Sequence, residues 1–92
     1  VTMPYIKEEE RVSYKEPLEK IIDLLEASGF HPGHVNFVIS NLINICLGEE
    51  GMSYTNANKY IGALECAKLE IVRKKLSPYE DEKCIENGEV FK

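Results

Sequence analysis

Tryptophan is absent from this chain, and cysteine is scarce, with three residues among 92. Cys46, Cys66 and Cys84 are widely separated and form no C-x-x-C pair. An odd, dispersed set of cysteines excludes a disulfide framework and a zinc ribbon, and it fits reduced thiols in a cytoplasm. Cys46 and Cys66, set in apolar helical surroundings, read as small buried hydrophobes, and Cys84, set among charges, as a surface residue. No apolar run is long enough to cross a bilayer. No basic leader precedes an apolar stretch, so no signal peptide is expected. Excess positive charge is missing too: eleven Lys and Arg face sixteen Asp and Glu, for a net charge of -5. That balance argues against a nucleic-acid partner. Walker loops, nucleophile elbows and dinucleotide fingerprints are also lacking.

The charge that is present is unevenly placed. Residues 1–50 hold nine acidic groups against four basic ones, whereas residues 51–92 hold seven of each. The run Glu8-Glu9-Glu10 fits a solvated helix face or an acidic first turn, which complements a helix N-terminus. Between His34 and Glu49 there is no Asp, Glu, Lys or Arg at all. With 43% apolar residues the chain can bury a core, but a modest one at this length.

Helical periodicity dominates, and almost nothing reads as a strand. Val1-Thr2 reads as a remnant ahead of a start at Met3, and residues 1–6 read as an extended arm because Pro4 steers its predecessor out of the helical region. A short helix over 7–14 would offer Val12 and Tyr14 as contacts. The first clear helix is expected at about 16–28, with Pro17 in its first turn, Leu18, Ile21, Ile22 and Leu25 on one face, and Gly29 as its stop. Pro32-Gly33 marks a loop. A second helix is expected at about 34–47, with Val35, Val38, Ile39, Leu42, Ile43 and Cys46 sharing a face and Asn36, Ser40, Asn41 and Asn44 on the polar side. So apolar a helix must be covered on more than one side. Gly48 to Gly51 reads as a turn, and Ser53 as the N-cap of a third helix at about 54–76. Ser77, Pro78 and Glu80 spell a capping box that opens a fourth helix at about 78–86, ended by Asn87-Gly88. Val90 and Phe91 are expected to dock on the body. The sum is an all-α fold, a compact bundle of three to four helices in a single domain, with short extended N- and C-terminal arms.

Three constellations bear on chemistry. His31 and His34 flank Pro-Gly without further obvious ligands, and no metal site is assigned to them. Carboxylate pairs Glu16 with Glu19, Glu19 with Asp23, and Glu80 with Asp81 keep open a small magnesium-dependent nucleotide or phosphoester hydrolase of all-α type, which needs at least three acids converging on one cation. Glu65 and Glu70 lie about 140° apart on their helix and do not pair. Small residues recur in the third helix, Gly62 with Cys66 and Ala63 with Ala67, the spacing of a tight helix crossing within the chain or between copies. No cofactor is implied and no catalytic residue is assigned.

The segment Ile61-Gly62-Ala63-Leu64-Glu65-Cys66-Ala67-Lys68-Leu69-Glu70, followed by Arg73 and by Pro78-Tyr79-Glu80-Asp81, resembles a small family of uncharacterised bacteriophage, bacterial and archaeal proteins. Met3-Pro4-Tyr5-Ile6 with Arg11, and Asn87-Gly88-Glu89-Val90, extend the resemblance over nearly the whole chain. The resemblance brings no established activity. It draws attention to Tyr5, Arg11, Glu65, Lys68, Arg73, Tyr79 and Asp81 as a ligand or partner site, or as a structural polar network. Glu65 and Lys68, at i and i+3, are expected to pair. The functional expectation is a non-enzymatic, self-associating helical accessory protein, cytoplasmic and of phage or mobile-element origin, with a homodimer favoured and no membrane partner.

Overall fold

The computed structural model describes residues 6–91. The fold is all-α: α1 spans Glu8–Ala27, α2 Pro32–Glu50 and α3 Tyr54–Ile71, a π-helical turn spans Val72–Leu76, and α4 spans Ser77–Asn87. No strand occurs among the described residues. The chain divides into two units, Val1–Ala57 and Asn58–Lys92.

The expected short helix at 7–14 and the helix at 16–28 are one element. Glu8, Glu9 and Glu10 occupy its first turn, where their charge complements the exposed N–H groups. Lys7 at the N-cap makes no side-chain cap bond. Instead, Arg11 reaches back, donating from Nε and Nη2 to the Ile6 carbonyl at 3.1 and 2.8 Å. Pro17 therefore lies inside α1 and not in its first turn. Its ring has no N–H to offer the Ser13 carbonyl, a recognised cost in a helix interior. Val12 and Tyr14, expected to make contacts, are exposed.

The end of α1 follows local chemistry closely. Gly29 adopts φ 75°, and its N–H donates to the Glu26 carbonyl at 2.9 Å. Phe30 N–H donates to the Leu25 carbonyl at 2.8 Å, which completes a Schellman motif. Phe30 follows its glycine into the left-handed region, at φ 56°. His31 then acts as the N-cap of α2, its Nδ1 accepting from Gly33 N–H at 3.0 Å. Pro32 takes the first helical position, where a missing N–H costs nothing.

Two expected stops were misplaced. Helix α2 runs through Gly48 to Glu50 and ends only at Gly51, φ 98°. Ser77 is no N-cap either, because it and Leu76 both hold helical angles, φ -60°, ψ -45° and φ -75°, ψ -47°. The chain stays helical through Pro78 by widening one turn. Ser77 N–H reaches back five residues to the Val72 carbonyl, and that π-turn accommodates a proline unable to donate. The capping box is thus replaced by a continuous helical path. Ser53 does cap α3, its Oγ accepting from Asn56 N–H at 3.0 Å, while Asn56 Nδ2 donates to the Gly51 carbonyl at 2.8 Å. Gly88, φ 91°, ends α4.

The helices are present, but neither unit fully buries a side chain among its described residues. No described residue is buried. In the stripe of α1, Leu18 and Ile22 are exposed and Ile21 and Leu25 are half-buried. On α2, Phe37, Leu42 and Ile45 remain 67%, 53% and 59% exposed. Val90 and Phe91, expected to dock, are 83% and 87% exposed. Residues 1–5 of the expected N-terminal arm, and Lys92, lie outside the described residues.

The position of Pro17 gives a direct check. Pro17→Ala restores the donor to Ser13 and removes the ring clash. It is expected to raise stability in urea denaturation by roughly 2 kcal/mol, after the unfolded-state entropy that proline removes is set against the gain. A loss of stability would place Pro17 at a helix start instead.

Candidate functional site

Tyr5 lies outside the described residues, and Arg11 belongs to the first unit, engaged with the Ile6 carbonyl. The remaining candidates lie on the second unit. Glu65 and Lys68 pair as their spacing implies, Lys68 Nζ lying 3.4 Å from Glu65 Oε1. Glu65 is 56% exposed on its side chain, so it needs no buried partner. A pair this open contributes little to stability. Arg73 donates from Nη2 to Glu70 Oε2 at 2.9 Å, a partner that the sequence reading did not single out. Tyr79 carries Lys83 over its ring, with Nζ 5.5 Å from the centroid, and Lys83 also reaches Glu86 at 3.1 Å. Asp81 contributes negative charge near Cys84. These are surface pairs along a helix, arranged at i and i+3 or i and i+4.

Within its own unit the small-residue stripe meets no close neighbour among the described residues. A Cβ built on Gly62 would meet nothing within 4 Å outside its own helix. Cys66 is exposed, not a buried hydrophobe, and Ala63 and Ala67 are exposed beside it. Cys84, expected at the surface, is half-buried. Its thiol pKa is raised, first by a hydrogen bond to Glu89, then by desolvation and by the charges of Glu89, Asp81 and Glu80. The proton is thereby held on the sulfur, the opposite of what a nucleophile requires.

Among the described residues, no group of three or more His, Cys, Asp and Glu is placed to hold a metal ion. The rings of His31 and His34 lie edge to face, 6.2 Å apart, and His31 Nδ1 is engaged in capping α2. Glu16 pairs loosely with Lys20, at 3.9 Å. No described helix is long and apolar enough to cross a membrane.

The sequence reading missed an open apolar groove of about 480 Å³ lined by Phe30, Pro32, Val35, Asn36, Ile39 and Ser40. It lies on the first two turns of α2. Phe30, left-handed directly after Gly29, lines its edge. One hydrogen bond joins its polar members, Ser40 Oγ donating to Asn36 Oδ1 at 2.8 Å. One turn further on, Asn41 Nδ2 donates to the Phe37 carbonyl at 2.8 Å.

The described residues thus form an all-α chain with exposed apolar stripes and surface ion pairs at helical spacing. Its family is known: a domain of unknown function, DUF6899, matches residues 3–90, and the chain belongs to that family. No curated protein and no solved structure matches it.

Two measurements test these placements. At mildly alkaline pH, Cys66 is expected to react faster than Cys84 with a disulfide reagent such as DTNB, and Glu89→Gln to speed the reaction of Cys84. Equal rates for the two thiols would contradict the protonated assignment. Gly62→Ala is expected to stabilise α3 by about 1 kcal/mol, as for an open helical glycine. A loss of stability or of assembly would instead place Gly62 at a close contact between copies.

Proposed function

We propose that this protein is a non-enzymatic, self-associating helical interaction or accessory protein of the cytoplasm, with a dimer as its favoured state. The observation that carries this reading is the lack of any buried residue among those described in either unit. Apolar faces left open within each unit suit an obligate assembly in which helices of different copies supply one another's core. The three free cysteines suit a reducing compartment.

Light scattering coupled to size exclusion tests the reading. At micromolar concentration the chain is expected to elute with the mass of a dimer or a larger closed oligomer. A monomer that nonetheless unfolds as one sharp transition would overturn it.

A further inference from the structure

The self-association reading leaves open which surface forms the seam. We propose that two copies meet through α2, antiparallel and about a two-fold axis near Leu42. This proposal rests on the preceding reading.

Charge singles out α2. Each copy carries -5, so any contact between copies must avoid setting like charges against each other. The first turn of α1 is acidic, and α3 carries Lys59, Glu65, Lys68 and Glu70. Helix α2 is uncharged from Val35 to Gly48.

Geometry centres the contact. At 3.6 residues per turn, Val35, Val38, Ile39, Leu42, Ile45 and Cys46 fall within about 120° of arc, with Leu42 in the middle. Ile39, Leu42 and Ile45 are exposed, and the other three are half-buried. The neighbouring polar groups already have partners on their own helix: Ser40 with Asn36, and Asn41 with the Phe37 carbonyl. Removing water from this face therefore strips few unpaired donors.

A two-fold contact sets residue i against j and j against i. With Leu42 at the axis, Ile39 meets Ile45 of the second copy, and Val38 meets Cys46 of the second copy. The groove beside Phe30 shares Val35 and Ile39 with this face. Opposed helix dipoles add to the preference for an antiparallel pair.

Engineered cross-linking in the full chain tests the register. In a background of Cys66→Ser and Cys84→Ser, Cys46 is the sole thiol. Two copies of it, each four residues from the axis, would stand about 12 Å apart along the seam, beyond disulfide reach. Mild oxidation is expected to leave this background protein uncross-linked. Adding Val38→Cys is expected to convert most of the chain to a disulfide-linked dimer. Leu42→Glu, which places two carboxylates at the axis, is expected to abolish the dimer mass, whereas Leu42→Met is expected to retain it. Cross-linking through Cys46 alone would indicate parallel helices and overturn the proposed register. A dimer that neither cross-links with Val38→Cys nor responds to Leu42→Glu places the seam elsewhere and overturns this inference, while self-association stands. A monomeric parent chain overturns both.

Discussion

The constraint on which the rest of the structure depends is the mismatch between the apolar surface these helices carry and what each unit covers of its own. Ninety-two residues bury only part of their unfolded surface even when folded well. Here no described side chain reaches full burial, and Leu42, Ile45 and Phe37 stay more than half exposed. Isolated helices of this length are marginal in water, and most helical stability in proteins comes from packing of an apolar face. Helices this open within each unit need packing from outside it, and the proposed source is a second copy.

Local chemistry, in contrast, is well defined at most helix ends. The Schellman motif at Gly29, the imidazole cap from His31, the Ser53 cap and the Gly51 and Gly88 stops satisfy the backbone groups that helix ends leave open. Surface charges pair at helical spacing, Glu65 with Lys68, Glu70 with Arg73, and Glu86 with Lys83. These elements specify where helices begin and end. They do not specify what covers the helices, because an open ion pair is worth well under the cost of leaving a leucine in water.

That division explains what was legible in the sequence. Gly29, Ser53 and Gly88 act within a few residues, so their roles can be read from neighbours alone. Pro17 and Pro78 misled because proline favours a first helical turn, yet both lie where helix continues on either side. At Pro78 the wider Val72–Leu76 turn absorbs the missing donor, a device that leaves no mark in the sequence. Gly48 misled for a similar reason, since only Gly51 leaves the helical region. The candidate residues split along the same line. The Glu65–Lys68 pair follows from spacing, whereas the exposure of Cys66 and the half-burial of Cys84 depend on packing that periodicity does not encode. The groove at Phe30 was hidden because it depends on a left-handed non-glycine residue, which a sequence seldom announces.

The most direct measurement is urea unfolding, followed by circular dichroism, across a hundredfold range of protein concentration. If the core is shared between copies, the midpoint rises with concentration, by the equivalent of about 1.4 kcal/mol of dimer stability for each tenfold step. A cooperative transition whose midpoint does not move would show that one chain stabilises itself, and would contradict the account.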